Sequence, residues 1–306
     1  MKILIATDKP FAAGAVSSIR KVIEDAGFQC VLLEKYTEKS QLLNAVTDAN
    51  AIIIRSDIID AEVLNAAKNL KIVVRAGAGY DNVDLNAATA NDVCVMNTPG
   101  QNSNAVAELA LGLMVYAMRN FFDGSSGSEL SGKKLGIHAY GNVGRNVARI
   151  AKGFGMEVYA YDPYCPVEVM EQDDVKHLST VEELYSGCQF VSLHIPATAE
   201  TKNSINYDLL GKMPEKALLV NTARKEVINE PELVKLMEER PDFKYVTDIM
   251  PSNHEEMLAK FEKRYYSTPK KIGAQTSEAN NNAGIAAAKQ IVDFFRTGNQ
   301  KFRVNK

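Results

Sequence analysis

The sequence has few cysteines, and they are widely separated. The four cysteines are Cys30, Cys94, Cys165 and Cys188. No two of them have the spacing of a zinc site or of a redox-active pair. We therefore expect a reduced, cytoplasmic protein that holds no metal.

Long apolar segments and a strong net charge are also missing. No stretch has the length of a transmembrane helix, and the apolar run before Asp8 is too short for a signal peptide and suits a first buried strand. The formal net charge of −3 gives no overall attraction to nucleic acid or to an anionic membrane. We see no internal repeat, heptad run or low-complexity segment. Nucleic-acid and membrane partners are therefore not expected.

The chain has 306 residues, 46% of them hydrophobic and 24% charged, which is ordinary for a soluble protein of two domains. In its first part, short apolar runs alternate with helical segments near 13–26, 38–47 and 60–67. The runs are KILIA, QCVLL, AIIIR, KIVVR and VCVM. Continuous apolar strands that alternate with helices predict a parallel sheet covered on both faces.

A second α/β series follows an interruption at Asn97-Thr-Pro-Gly100. A long helix is predicted at about 104–119, and a polar connection rich in Gly and Ser comes after it. The new series begins at Leu135, with later strands at 190–195, 217–221 and 243–249 and a final helix at 278–296. The predicted fold class is therefore α/β, with two Rossmann-like or flavodoxin-like doubly wound parallel-sheet domains.

The segment LGIHAYGNVGRNVARIAKGFGMEVYAYD, residues 135–162, has the order strand, glycine-rich turn, helix, strand and acid. In a dinucleotide-binding unit, glycines let the backbone approach a pyrophosphate at the start of a helix. Asp162 follows 18 residues after Gly144, where an acid would hold the adenosine ribose and favour NAD over NADP. Ala139 replaces the first glycine of G-x-G-x-x-G, so the turn must avoid positive φ or accept strain. The alternative is a plain packing turn.

Basic residues follow two predicted strands of the first part, and ligands bind beyond the carboxyl ends of strands in such sheets. Arg55 with Ser56 could hold a phosphate or a carboxylate. Alternatively, Arg55 could form a surface ion pair with Asp57 or Asp60. The stretch Arg75-Ala-Gly-Ala-Gly could form an anion-binding nest of backbone N–H groups, or only a tight turn that needs positive φ.

Two more basic sites follow strands of the second series. Arg224 could hold a carboxylate bidentately at the end of a buried strand, or could pair with Glu226 or Glu230. Lys270 and Lys271 could be a solvated edge. Alternatively, a lysine that is partly buried beside an arginine has a lowered pKa and can exchange a proton near neutral pH.

Together these stretches resemble the D-isomer-specific 2-hydroxyacid dehydrogenase family over nearly the whole chain. The segments that carry the resemblance are GAGYDNVD, NTPGQNSNAVAELALGL, ELSGKKLGIHAYGNVGRNVA, VSLHIPATAETKNSI, VNTARKEVINEPEL and TPKKIGAQTSEAN. The resemblance implies a discontinuous substrate-binding domain (1–98 and 277–306), an NAD-binding Rossmann domain (99–276) and a cleft between them. It also implies a homodimer built through the NAD-binding domain.

The resemblance also implies which residues bind the ligands. NAD would contact Tyr140, Gly141, Asn142, Val143, Gly144, Asp162, His194, Pro196, Thr222, Ala223 and Asp248. The substrate would lie with its carboxylate on the backbone of Ala76 and Gly77. Its phosphate would be held by Arg55 and the adjacent Ser56, with help from Arg75. From the residues alone, a hydrogen-bonded structural histidine is the better explanation of both His194 and His138.

The catalytic set of the family is arginine, glutamate and histidine, and two of the three positions differ in this chain. Arg224 matches the arginine, whereas Lys271 stands in the place of the histidine and Asn253 in the place of the glutamate. Imidazole needs a carboxylate to fix its tautomer, but an ammonium has no tautomer to fix. A carboxylate would raise the pKa of a lysine, and an asparagine would not.

We therefore predict that Arg224 binds the substrate carboxylate and polarises the oxygen at carbon 2, and that neutral Lys271 takes the hydroxyl proton. Lys270 is the reserve candidate for that role. Shifted alignments leave two alternatives open, with Glu255 as the glutamate or His254 as a displaced acid/base.

Within the family, the segments are most similar to members that oxidise D-3-phosphoglycerate at the start of serine synthesis, in a form without a C-terminal regulatory domain. The expected partner is thus a small phosphorylated 2-hydroxy acid, and the expected cofactor is NAD. A reductase of glyoxylate, hydroxypyruvate or another 2-keto acid is the alternative within the same class, and a phosphate site would separate the two. An NAD-sensing binding protein, like the corepressors of this family, is the alternative from another class.

Overall fold

The structure, a computed structural model, describes residues 1–305. The strands are β1 (Lys2–Thr7), β2 (Gln29–Glu34), β3 (Ala51–Ile54), β4 (Ile72–Arg75), β5 (Cys94–Asn97), β6 (Lys134–His138), β7 (Glu157–Tyr161), β8 (Lys176–His177), β9 (Phe190–Leu193), β10 (Leu218–Asn221), β11 (Lys244–Thr247) and β12 (Tyr265–Ser267). The helices are α1 (Ala13–Asp25), α2 (Lys39–Val46), α3 (Ala61–Ala66), α4 (Leu85–Ala90), α5 (Ser103–Met118), α6 (Asn142–Gly153), α7 (Val167–Gln172), α8 (Val181–Gly187), α9 (Tyr207–Gly211), α10 (Glu230–Glu239), α11 (His254–Phe261) and α12 (Ser277–Thr297). The chain divides into two compact units. The first unit is 1–102 with the segment from Gln275 onward, and the second unit is 103–274.

The first unit contains a five-stranded parallel sheet in the order β2-β1-β3-β4-β5. Helices α1 and α12 cover one face, and α2, α3 and α4 cover the other. Along β1, Ile3 and Ile5 therefore lie in one core and Leu4 in the opposite core. Gly284 permits the close packing of α12 on α1, because an added Cβ would lie 2.4 Å from Cδ1 of Ile19.

The last described residues cover β5, the edge strand of this sheet. The N–H of Val304 donates to the carbonyl of Val95 at 2.8 Å. The side chain of Asn305 is buried, and its Oδ1 accepts the N–H of Val95 at 2.8 Å. Its Nδ2 donates to the carbonyl of Val93 at 2.9 Å. The edge of the sheet is thus closed by the chain itself.

The second unit contains a seven-stranded sheet in the order β12-β11-β10-β9-β6-β7-β8, with every neighbouring pair parallel. The chain begins in the middle at β6, proceeds through β7 to β8, and crosses back to β9 and the strands beyond it. Strands β6 and β9 therefore mark the point where the strand order reverses. In open α/β sheets, ligands bind at this point, beyond the carboxyl ends of the strands.

The predicted α/β class with two parallel sheets is confirmed. The predicted helices agree with α1, α2, α3, α5 and α12 to within two residues at each end. Helix α4 was not predicted, although Asp84 supplies a start signal because its side chain accepts the N–H of Ala87. Among residues 1–305, no helix combines the length and the apolar character needed to cross a membrane.

Candidate functional site

The glycine-rich turn after β6 is strained at its first position. Ala139 has a φ of +78°, so the turn accepts strain and does not avoid positive φ. The N–H of Ala139 donates to the carbonyl of Tyr161 at 2.9 Å, which ties the turn to the end of β7. An added Cβ on Gly144 would lie 2.5 Å from the carbonyl oxygen of Ala139. Glycine at position 144 is therefore required for helix α6 to pack this closely on the turn.

Helix α6 begins with unused backbone donors. Gly141 is the N-cap and offers no side chain, and the first N–H bonded within the helix is that of Arg145, which donates to the carbonyl of Gly141 at 3.0 Å. In the described chain, the N–H groups of Asn142, Val143 and Gly144 have no partner. An added Cβ on Gly141 would meet no atom within 4 Å. Free donors beside open space at a helix start fit the pyrophosphate of a dinucleotide.

Asp162 directly follows β7 and lies beside the same turn. Its Oδ2 accepts the N–H of Tyr140 at 2.8 Å, and its Oδ1 accepts the N–H of Tyr164 at 2.8 Å. The carboxylate is therefore held in place by the backbone, and the remaining lone pairs of each oxygen can accept ribose hydroxyls. The hydroxyl of Tyr140 donates to Asp173, and burial raises the pKa of that phenol.

Two histidines stand at the ends of β6 and β9, where the strand order reverses. The Nδ1 atom of His138 lies 3.2 Å from the hydroxyl of Tyr185, and Nε2 of His194 lies 2.9 Å from Oγ of Ser192. Burial lowers the pKa of His138 to about 4. Burial, and then the neighbouring His138, lower the pKa of His194 to about 3. Both rings are thus neutral near pH 7 and hydrogen-bonded to protein, and the roles of His194 and Pro196 in cofactor binding stay predictions.

The loop after β10 carries Arg224. The side chain of Asn221, which sequence reasoning missed, shapes this loop by accepting the N–H of Ala223 and donating to the carbonyl of Arg224. The Oγ1 atom of Thr222 is buried without a partner in the residues that the structure describes. An unpaired buried hydroxyl at a position predicted to contact the cofactor fits a ligand that supplies the missing partner.

Arg224 is exposed. It lies three residues beyond the end of β10, outside the sheet. Within residues 1–305 it forms no ion pair with Glu226 or Glu230, and one guanidinium nitrogen donates to the carbonyl of Ala223 at 2.8 Å. The rest of the guanidinium fork is available for a carboxylate.

The lysine segment 268–273 follows β12 and is held by Asp248. The carboxylate of Asp248 accepts bonds from Oγ1 of Thr268 and from the N–H groups of Ile272 and Gly273. These bonds leave lone pairs on the carboxylate, so the assignment of Asp248 as a cofactor contact stays a prediction. Lys271 and Lys270 are both exposed, and the role of Lys271 as the acid/base stays a prediction.

The other acid/base candidates lie at the start of α11. Asn253 occupies the N-cap without a side-chain capping bond, and its Oδ1 is buried with no partner among the described residues. The Nδ1 atom of His254 lies 2.8 Å from the hydroxyl of Tyr265, so this ring is engaged within the chain. Glu255 is exposed in the first turn of the helix.

In the first unit, the guanidinium of Arg55 is used to tie segments together. Its NH1 donates to the carbonyls of Lys9 and Pro10, and its NH2 donates to Oδ1 of Asn280 at 2.7 Å. No ion pair with Asp57 or Asp60 forms in the part of the chain that is described. Burial lowers the pKa of Arg55.

Arg75 lies beside Arg55 and also forms no ion pair within the described residues. Its Nε donates to the carbonyl of Arg55 at 3.0 Å, while NH1 and NH2 make no hydrogen bond within the described residues. Burial and the charge of Arg55 lower the pKa of Arg75. Its guanidinium lies over Gly77, whose φ is +150°, and an added Cβ there would be 1.6 Å from NH1. Two neighbouring, partly buried cations that form no direct ion pair with the nearby Asp8, Asp57 and Asp81 favour an anionic ligand.

The backbone donors of this loop lie two residues later than predicted. The N–H of Ala76 donates to the carbonyl of Ile54, and the N–H of Gly77 donates to the carbonyl of Arg75, so neither is available for a substrate. The N–H groups of Ala78 and Gly79 have no partner in the described chain. The second glycine of the AGAG stretch is Gly79, and its presence in the sequence could have indicated that the free donors lie there. The hydroxyl of Ser56 donates to Asp8 at 3.2 Å.

Comparison with known proteins identifies the second unit. The sequence profile for the D-isomer specific 2-hydroxyacid dehydrogenase NAD binding domain matches residues 115–270. The D-3-phosphoglycerate dehydrogenase of Methanocaldococcus jannaschii is 33% identical over 293 residues, which are 90% of this chain and 55% of that protein. The hydroxypyruvate reductase of Thermotoga maritima is 33% identical over 275 residues, which are 84% of this chain and 88% of that protein. The chain thus spans about half the length of the phosphoglycerate dehydrogenases of Methanocaldococcus jannaschii and Rattus norvegicus.

A solved structure covers the whole chain. The NAD⁺-bound 3-phosphoglycerate dehydrogenase of Entamoeba histolytica superposes with a TM-score of 0.87 and 47% sequence identity, covering 100% of this chain and 99% of that one. The glycine-rich turn, the free donors of α6 and the position of Asp162 agree with the NAD-binding assignment. The chain therefore belongs to the D-isomer specific 2-hydroxyacid dehydrogenase family, and residues 115–270 match the family's NAD-binding domain.

Proposed function

We propose that the protein is a cytoplasmic enzyme that oxidises D-3-phosphoglycerate to 3-phosphohydroxypyruvate with NAD⁺, the first step of serine biosynthesis. The observation that carries this proposal is the pair Arg55 and Arg75, two adjacent partly buried guanidinium groups that form no direct ion pair with a carboxylate among residues 1–305. A dianionic phosphate is the substrate group that would compensate this charge. The 47% identity to a 3-phosphoglycerate dehydrogenase supports the same substrate.

We assign substrate binding to the first unit, with Arg75 as the main phosphate ligand. Its NH1 and NH2 are unused in the described chain, whereas the fork of Arg55 is occupied by carbonyl and amide oxygens. Arg55 then contributes mainly its charge. The free N–H groups of Ala78 and Gly79 are the donors for the substrate carboxylate.

We assign cofactor binding and proton transfer to the second unit. The N–H groups that begin α6 hold the pyrophosphate, and Asp162 holds the adenosine ribose. When bound, NAD⁺ supplies the acceptor for the hydride that leaves carbon 2. Arg224 binds the substrate carboxylate and polarises the oxygen on carbon 2, and neutral Lys271 accepts the hydroxyl proton at Nζ. In the reverse direction, the ammonium of Lys271 returns that proton.

Replacement of the two lysines tests the assignment of the acid/base. Lys271→Ala should lower kcat by roughly 10²–10⁴ while the Kd for NAD⁺ stays unchanged, because proton transfer is lost and the cofactor residues are intact. Lys270→Ala is the matched control and should keep kcat within about threefold of the unmodified enzyme. Initial rates of NADH formation measure both. Near-normal turnover of Lys271→Ala would contradict the assignment of Lys271 as the acid/base. Loss of activity only in Lys270→Ala would assign that role to Lys270.

A 2-keto acid reductase is the second candidate function. It is favoured by the hydroxypyruvate reductase of Thermotoga maritima, which this chain matches over 88% of its length. The same residues would serve such a reaction, except that a substrate without a phosphate would leave the charge of Arg75 uncompensated. Arg75→Gln separates the two functions. It should raise the KM for D-3-phosphoglycerate by at least roughly tenfold if Arg75 binds phosphate, and should leave the KM for hydroxypyruvate unaltered.

We further propose that the protein is a homodimer built through the second unit. An aromatic patch, formed by Tyr116, Phe121, Phe122 and Tyr266, supports this proposal because its rings contact one another while Phe122 is 67% exposed. Such rings are enriched in subunit interfaces. Phe122→Asp should produce monomers in sedimentation velocity experiments. The control Tyr164→Ser, at a side chain that is 86% exposed, should not change the assembly.

A further inference from the structure

Asp248 carries a buried carboxylate whose partners all come from one short segment. The residue follows β11 and is 1% exposed. Its Oδ1 accepts the hydroxyl of Thr268 at 2.8 Å and the N–H of Ile272 at 2.8 Å. Its Oδ2 accepts the N–H of Gly273 at 2.7 Å. These neutral donors compensate the buried charge.

These bonds fix the backbone on both sides of the lysine pair. Thr268 precedes the pair and Ile272 follows it, and the N–H of Ile272 belongs to the peptide group that Lys271 begins. The N–H of Thr268 also donates to the carbonyl of Thr247 at 3.1 Å, which continues the pairing of β12 with β11. No helix or strand is present between Ser267 and Ser277 to hold the segment in another way. The carboxylate thus sets where the backbone of Lys271 lies.

Gly273 is matched to this carboxylate. An added Cβ on Gly273 would lie 2.9 Å from Oδ2 of Asp248 and 3.4 Å from Cγ2 of Val106. A side chain at this position would press on the carboxylate, while on the other side it would only come into contact with α5. The short bond between the Gly273 N–H and Oδ2 therefore depends on the absence of a side chain.

We propose that Asp248 is a positioning residue, which holds the segment 268–273 so that Lys271 reaches the hydroxyl group of the substrate. The proposal rests on the proposed function, in which Lys271 is the acid/base. Proton transfer requires the reacting atoms to be placed to within a fraction of an ångström, and displacement by about 1 Å can cost roughly 10²-fold in rate. A carboxylate suits the task because it accepts from every side, whereas an amide would present its own N–H₂ to one of these donors.

A double-mutant cycle with Lys271 tests whether Asp248 acts through that lysine. The four proteins are the unmodified enzyme, Asp248→Asn, Lys271→Ala and the double variant, assayed with NAD⁺ and D-3-phosphoglycerate. We expect Asp248→Asn to lower kcat roughly 10–100-fold, with the Kd for NAD⁺ within about twofold of the unmodified value. In the Lys271→Ala background, the same change should have no further effect on kcat, because no lysine remains to be positioned.

Two further variants disturb the same contact without changing the charge of Asp248. Gly273→Ala pushes on the carboxylate, and Thr268→Val removes one of its donors while keeping the shape of the side chain. Both should lower kcat and leave the Kd for NAD⁺ unaltered. They also keep the test decisive if Asp248→Asn does not fold, since each can replace it in the cycle with Lys271→Ala.

Several outcomes would overturn the proposal. A tenfold or larger rise in the Kd for NAD⁺ in Asp248→Asn, with normal kcat at saturation, would make Asp248 a cofactor contact. An equal loss of kcat with and without Lys271 would show that Asp248 does not act through the lysine. An unchanged kcat in Asp248→Asn would remove its role. Near-normal turnover of Lys271→Ala alone would instead reject the proposed role of Lys271 as the acid/base, so the two failures are distinguishable.

Discussion

Ala139 holds a backbone conformation that residues with a side chain rarely adopt. Its φ of +78° falls at the start of the glycine-rich turn, directly before Tyr140, whose N–H is bound by Asp162. A left-handed conformation costs a residue with a Cβ roughly 1–2 kcal/mol. The surrounding bonds to Tyr161 and Asp162 maintain this conformation against that cost.

Ala139→Gly should therefore stabilise the protein. The free energy gained by removing the strain is larger than the entropic cost of ordering a glycine on folding. We therefore expect the free energy of unfolding to rise by about 0.5–1 kcal/mol. Ala259→Gly is the control, because Ala259 is exposed within helix α11 and has ordinary helical geometry. That change should lower the free energy of unfolding by about 0.5–1 kcal/mol. Urea denaturation measures both, and a loss of stability in Ala139→Gly would contradict the account of strain.

His138 should make the stability of the fold depend on pH. Burial lowers its pKa to about 4, whereas an exposed histidine in the unfolded chain has a pKa near ~6.5. The unfolded chain therefore binds a proton first as the pH falls. The contribution of His138 to the free energy of unfolding is complete above about pH 6.5 and is lost progressively toward pH 4. At pH 5 the loss amounts to about 2 kcal/mol.

His138→Gln separates this effect from other acid effects. The amide can still bond to the hydroxyl of Tyr185 but does not titrate. We expect the loss in free energy of unfolding between pH 7 and pH 5 to be smaller by about 2 kcal/mol in the variant. Equal losses in the two proteins, measured by urea denaturation at both pH values, would show that His138 does not titrate as described.

At the scale of elements, the edge strand β5 depends on the chain's last described residues. Asn305 pairs with the buried N–H of Val95 and the buried carbonyl of Val93. Asn305→Ala leaves both groups without that partner, and we expect the free energy of unfolding to fall by about 2 kcal/mol. Asn299→Ala, at an exposed position nearby, should change it by less than about 0.5 kcal/mol. Equal stabilities in guanidinium melts would show that the edge does not need Asn305.

Elements were predictable where the sequence pattern reflects burial. Strands β1, β3 and β4 are apolar along their length because helices cover both faces of their sheet, and that pattern identified them. The short elements α4 and β8 have little such pattern. Helix α4 buries only Ala88 fully, and β8 has two residues that pair with the end of β7. Contacts made elsewhere in the chain determine these elements, so local sequence could not predict them.

For the whole molecule, the order of strands and loops along the sequence predicted which loops carry the polar groups. It did not predict which of these groups form hydrogen bonds within the chain. Parallel strands place their carboxyl ends at one edge, so Arg55, Arg75 and Arg224 could be assigned to strand ends from the sequence. The engagement of Arg55 with Asn280 joins residues 225 positions apart, and no local pattern indicates it. The shift of free N–H groups from Ala76 to Ala78 also depends on the pairing of β4 with β3.

Two substrates that differ only by a phosphate group show whether the protein binds a phosphorylated hydroxy acid. NADH formation would be measured with D-3-phosphoglycerate and with D-glycerate, using the unmodified protein and NAD⁺. If Arg75 and Arg55 hold a phosphate, kcat/KM should be at least roughly 10²-fold higher for D-3-phosphoglycerate, because a desolvated charge would otherwise stay unpaired. An equal or higher kcat/KM for D-glycerate would contradict the account.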